Sequence, residues 1–216
     1  MGVKERRQRE KSETRDKILD AARELFVAEG YEGVSMRKVA EMIEYSPTAI
    51  YVHFADKEEL FRELCHQDYA RLAEVFQTAG MLADPIERLR QIGAIYVDFG
   101  IRNPNHYKFM FMTTPPNHGP DEVDREIMGN PEVDAYAFLK WAVQQALDSG
   151  CFREELRDAE LVSQTLWAAV HGVISLEIAK GCDYWVEWRP IKERAQMMLD
   201  LTLRGLVRPD PIRERE

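Results

Sequence analysis

The stretch from Ser35 to Leu60, SMRKVAEMIEYSPTAIYVHFADKEEL, constrains this chain more than any other, because it fits two short helices joined by a tight corner and then the start of a third. Ser35 offers a side-chain oxygen to the orphan amides of a helix start, and Val39, Ala40 and Ile43 recur at helical spacing, so a helix is predicted from Met36 to about Ile43. Glu44 and Tyr45 make the corner. Ser46 caps again, and Pro47 takes the first helical position, where its missing N–H costs nothing. Ile50 and Phe54 then supply one buried face, which leaves Thr48, Ala49, Tyr51 and His53 on or near the outer one. A short helix of this kind suits the major groove of DNA, where hydroxyls, rings and methyls meet base edges and phosphates.

On these residues the segment resembles the DNA-binding region of the TetR family of transcriptional regulators. The pattern stands here as Ser35, Val39-Ala40, Ser46, Ile50-Tyr51-Val52-His53-Phe54, Lys57 and Leu60, and the connection from Phe26 through Gly30-Tyr31 to Ser35 is also similar to the family. The resemblance implies that Ser35, Arg37, Thr48, Ala49, Tyr51, His53 and Lys57 meet double-stranded DNA. Lys57 lies near a helix N-terminus, which already favours a phosphate. Two positions depart from the family pattern: Ile43-Glu44 stand where the family usually has Ala-Gly, and Thr48 stands where it often has Gly. Either Glu44 takes a left-handed conformation, at ~1–2 kcal/mol for a residue with a Cβ, or the corner is reshaped.

Composition sets the bounds around this motif. With 216 residues, 45% of them hydrophobic, the chain can bury one large core or two modest ones. No run of eighteen apolar residues occurs, so no membrane span is expected, and the charged start has no apolar stretch after it to make a secretion signal. Cys65, Cys151 and Cys182 are odd in number, widely spaced and without a CxxC pair, which argues for free thiols in a reducing cytoplasm and against zinc. A net charge of −9 is awkward for a DNA binder until its distribution is considered. Lys4, Arg6, Arg7, Arg9, Lys11, Arg15 and Lys17 crowd the start of the chain, with Arg37, Lys38 and Lys57 flanking the motif, and the remainder is left acidic.

Periodicity along the chain predicts an all-α protein: an N-terminal three-helix helix-turn-helix domain and a C-terminal helical ligand-binding and dimerisation domain. Residues 1–11 have no hydrophobic period and read as a charged tail, either merely solvated or an arm that meets DNA phosphate or the minor groove. Residues 12–56 form the DNA-binding domain, 57–207 the C-terminal domain and 208–216 a polar tail. Helices are expected from Ser12 or Thr14 to Gly30, Lys57 to Gly80, Pro85 to Asn103, about Pro131 to Gly150, Ala159 to Lys180, and Pro190 to Leu206, with an irregular connection over Thr113–Asn130. The helix from Lys57 to Gly80 should link the domains and carry movement between them.

The last two long helices are apolar over more than one face, so they are expected to pack against their twins in a homodimer, as the TetR resemblance also implies. Trp167-Ala168-Ala169-Val170-His171-Gly172 resembles the Trp-x-x-x-His-Gly signature of one group of TetR C-terminal domains. His171 reads either as a core or interface histidine or as the polar anchor of a cavity for a small, mostly apolar effector. The candidate lining is Tyr96, Phe99, Tyr107, Phe109, Met110, Phe111, Met112, Tyr136, Trp141 and Trp167. Catalysis has little support: GxSxG, P-loop, HExxH and dinucleotide patterns are missing from the sequence, and its five histidines do not form a ligand-spaced cluster. No cofactor or metal is expected. The expected function is a regulator, most simply a repressor released from a palindromic operator by its effector; the alternative is a DNA-binding protein without an inducer, acting architecturally or through a protein partner.

Overall fold

The computed structural model describes residues 2–114, 120 and 122–208. Ten helices form among them, α1 Val3–Gly33, α2 Met36–Met42, α3 Pro47–Tyr51, α4 Lys57–Gly80, α5 Pro85–Arg102, α6 Pro104–Met112, α7 Glu122–Ile127, α8 Ala135–Asp148, α9 Ala159–Lys180 and α10 Ile191–Leu206. The only β pairing among the described residues is an isolated bridge between Phe152 and Val207. The chain divides into two compact units, Met1–Tyr69 with Asn103–Gly119, and Ala70–Arg102 with Pro120–Glu216.

In the first unit the expected caps form: the Ser35 side chain accepts from Lys38 N–H and that of Ser46 from Ala49 N–H. The corner takes the strained alternative. Glu44 has φ of 59°, and Tyr45 N–H closes back on the Ala40 carbonyl at 2.9 Å. Gly30, at φ 70°, kinks α1 just before its final turn, a conformation that costs a glycine little. Ile18, Leu19, Ala22, Phe26, Val39, Ile50, Phe54, Leu60 and Leu64 are buried, and the Phe26, Phe61 and Phe109 rings meet at 5.0 to 6.0 Å. A polar knot lies in this core. Arg23 on α1 grips Asp68 on α4 with two hydrogen bonds of 3.0 and 2.9 Å, and His106 Nδ1 on α6 stands 2.8 Å from the same carboxylate.

In the second unit Phe76 packs on Phe138 at 6.3 Å, and Leu89, Ile92, Val143, Ile174, Leu199 and Leu203 fill the interior. The Asp134 side chain caps α8 through the N–H groups of Tyr136 and Ala137, and that of Asp158 caps α9 through those of Glu160 and Leu161. At Gly93 a Cβ would stand 2.4 Å from a Leu199 methyl, so the glycine permits α5 and α10 to approach closely.

Several expectations are revised. Residues 4–11 are not a separate tail here but the first turns of α1, continuous in helix with the rest and carrying an Arg6–Glu10 pair at i, i+4. Helix α8 begins at Ala135 because Asp134, not Asn130, is the residue that caps it. Part of the expected irregular connection winds into α7; residues 115–119 and 121 of it lie outside the described residues, as does the polar tail after Arg208. The boundary expected at residue 57 also moves. The start of α4 and the whole of α6 cluster with the first unit, because Phe61, Asp68, His106 and Phe109 build its core.

Candidate nucleic-acid interface and effector site

Helix α3 is short, and each of its side chains has a distinct fate. Ile50 is buried, as is Phe54 just beyond the helix, while Thr48 is exposed, Ala49 half-buried and Tyr51 53% exposed. A fixed backbone therefore presents a hydroxyl, a methyl and a phenol outward, which are groups able to meet base edges, thymine methyls and phosphates. Ser35 is exposed but already serves as the α2 cap, and Arg37 is exposed with its guanidinium on Glu41 at 2.9 Å. His53 is half-buried with no partner for its Nδ1; burial first, then the charges of Lys11 and Arg15, hold it below the ordinary imidazole range. Lys57 is placed differently from expectation. Its ammonium donates to the Tyr31 carbonyl at 2.9 Å and lies 4.1 Å from the Tyr31 ring centre, so it braces α4 against the end of α1. Tyr45 and Val52, exposed beside α3, are not among the expected DNA contacts, and Arg15 of the basic start covers the Phe54 ring with its guanidinium at 4.7 Å. The apolar neighbours gave no signal, since residues of that type are ordinarily assigned to a core.

The residues expected around an effector do not all gather in one group. Four do, on α5, α8 and α9 of the second unit. Trp167 Nε1 donates to Tyr96 Oη at 3.1 Å, Tyr96 Oη meets His171 Nδ1 at 3.2 Å, His171 Nε2 meets Ser175 Oγ at 2.9 Å, and the Tyr136 ring lies 5.8 Å from Trp167. Tyr136 donates in turn to Glu160 at 2.5 Å; burial and this bond push its hydroxyl up to about 12, while Lys140, Tyr136 and Gln164 hold Glu160 at about 2. Phe99 is buried in the core, and Trp141 lies under the Arg88 guanidinium at 4.8 Å. Tyr107 and Phe111, with rings 4.9 Å apart, belong to the first unit. No cluster of metal-ligating side chains exists among the described residues.

Comparison with known proteins decides the family. Residues 18–64 match the profile of bacterial regulatory proteins of the tetR family, and residues 89–201 that of the tetracyclin repressor-like C-terminal domain. The chain is 30% identical over 206 residues, 91% of its own length and 94% of the relative's, to the HTH-type transcriptional repressor AcnR of Corynebacterium efficiens. The chain belongs to the TetR family. It is also 44% identical over 73 residues to AcnR of Corynebacterium diphtheriae, a match that covers 34% of this chain and 38% of that relative. Among solved structures, a TetR family transcription regulator from Marinobacter aquaeolei VT8 shares the fold, with a TM-score of 0.73 at 16% identity, over 94% of this chain and 100% of that one. This TetR-family chain is thus a DNA-binding transcriptional regulator and not an enzyme.

Burial also lowers His171, so its neutral form is the one the folded state favours. Both lowered histidines bind protons more readily in the unfolded chain, so stability declines as pH falls below the unfolded value of about 6.5, until the folded groups titrate too. Urea midpoints measured between pH 7.5 and 5.5 should fall for the wild type and fall less for a H53Q/H171Q variant.

Proposed function

We propose that this regulator is a homodimeric repressor, working in the cytoplasm, whose two α3 helices read the half-sites of a palindromic operator. Support comes first from α3 itself, with Ile50 and Phe54 anchored inside and Thr48, Ala49 and Tyr51 turned outward between two capped helix starts. Ser35 and Arg37, both exposed at the start of α2, would add contacts, while Lys57 would act indirectly by fixing the end of α1 to α4. Dimerisation is supported by α9 and α10. Over an eighteen-residue window of α9 the mean hydropathy is 1.3, yet only 28% of that window is buried, and Leu161, Leu176, Met197 and Leu201 stand exposed on the two helices. An apolar surface of this kind is best accounted for by a second copy of the same pair of helices.

The group of Tyr96, Tyr136, Trp167 and His171 is the proposed effector contact. Its aromatic faces would hold a mostly apolar molecule, and its Tyr, His and Trp polar atoms would orient it. Such an effector releases DNA only by binding the non-operator conformation more tightly. Selecting duplexes from a random pool tests the reading: recovery of a two-fold symmetric sequence supports it, and recovery of none counts against it. With the selected duplex in hand, Tyr51→Ala should cost about 1–3 kcal/mol of binding, roughly 5- to 150-fold, with the dimer intact by sedimentation.

A further inference from the structure

The first turns of α1 carry a charge pattern that the DNA-reading face does not account for. Seven basic residues (Lys4, Arg6, Arg7, Arg9, Lys11, Arg15 and Lys17) and four acidic ones (Glu5, Glu10, Glu13 and Asp16) alternate in sequence. Helical winding sorts them. At ~100° per residue, Lys4, Arg7, Lys11 and Arg15 fall within about 80° of arc, and all four acids fall on the opposite side. The helix therefore has one face of a single sign and one mixed face, the latter holding the Arg6–Glu10 pair.

That basic face is not placed at random around the axis. Ile18, Leu19, Ala22 and Phe26, buried in the first unit, continue the same line down the helix. Where the core ends, the inward-facing stripe changes from apolar to basic and runs on along the first turns of α1. Arg15 marks the changeover, with its guanidinium on the Phe54 ring at 4.7 Å and on Glu63 at 3.0 Å. Lys4, Arg7 and Lys11 are exposed and make no ion pair among the described residues. Arg15 covers Phe54, three residues beyond the end of α3, so the stripe starts on the side of the reading helix.

We propose that the Lys4–Arg7–Lys11 stripe of α1 is a second DNA contact, a helical arm lying along the phosphate backbone outside the segment read by α3. The partner is chosen by charge: in a chain of net charge −9, three unpaired cations on one face beside the DNA-reading helix match a polyanion. From Lys11 to Lys4 the helix rises about 10 Å, which spans roughly three steps of a DNA strand. The stripe gives affinity and register but no base preference, because phosphates carry no sequence.

This inference rests on the DNA-reading function proposed above, and one experiment separates the two. Affinity of the full chain for the selected duplex and for a scrambled duplex is measured across a salt series, for the wild type, for K4Q/R7Q/K11Q, and for R6Q/R9Q/K17Q, which removes equal charge from the other face. The stripe variant should lower the slope of log K against log salt by about 2.7 per subunit, at ~0.9 per phosphate contact. It should also lose about three base pairs of protection at each outer flank and keep its preference for the selected over the scrambled duplex. The other-face variant should keep the wild-type slope. An unchanged slope in the stripe variant, or an equal loss in both variants, overturns the arm while leaving the reader standing. Wild-type binding to anionic vesicles, abolished by the stripe substitutions with the DNA slope unchanged, assigns the arm to a membrane surface and likewise overturns it. A wild type that holds neither duplex overturns both.

Discussion

Asp68→Ala is expected to destabilise the first unit by about 3–5 kcal/mol, a large share of the ~5–15 kcal/mol that holds a typical domain folded. The carboxylate is 2% exposed, receives two hydrogen bonds from Arg23 and lies beside His106 Nδ1. Its removal leaves the Arg23 guanidinium buried with, among the described residues, the exposed Asp20 as its one ion partner. The cost comes from that stranded charge more than from the lost attraction. Arg23→Met added to Asp68→Ala should therefore recover much of the stability, because a buried ion pair replaced whole by apolar volume is close to neutral. Denaturant midpoints followed by circular dichroism for the two single variants and the double variant give the answer. Additive losses in the double variant would show that the pair does not act as a unit.

The second large effect is expected at α10. Leu201→Asp should convert the proposed dimer to monomer without unfolding the chain, since Leu201 is 66% exposed on the single subunit. Two carboxylates placed on a two-fold apolar face must be desolvated or left apart. About 4 kcal/mol per dimer, a modest figure for two such groups, already weakens association roughly a thousandfold. Operator affinity should fall with it by about 10²–10⁴, because each α3 then binds its half-site without the other's effective concentration. Sedimentation and duplex binding on the same sample test both steps. A Leu201→Asp protein that sediments with the wild type would place the dimer contact elsewhere.

The amino-acid order alone determined the reader. Ser35, Ser46 and Pro47 act on amides three residues away or less, and Ile50 and Phe54 are four apart on one turn, so local rules suffice to place α2, α3 and the outward Tyr51. The left-handed Glu44 was legible as one of two outcomes, because the missing glycine at the corner left few others. The same rules bounded α9 at Ala159 and Lys180 through Asp158 and Gly181.

Other features depended on which helices meet. Arg23, Asp68 and His106 are separated by 38 and 45 residues, and nothing at the level of periodicity joins them. The aromatic and Met run of α6 looks the same in sequence whether it lines a cavity or completes a core. Tertiary packing assigned it to the first unit through Phe26 and Phe61, and with it Tyr107 and Phe111. Lys57 was read as a phosphate ligand because its neighbours in sequence suggested one, while its partner in space, Tyr31, lies 26 residues away. Local order thus sets where helices begin, end and turn their apolar faces, since those choices depend on groups within one or two turns. Which buried charge finds its partner depends on surfaces that meet only after the chain has closed on itself.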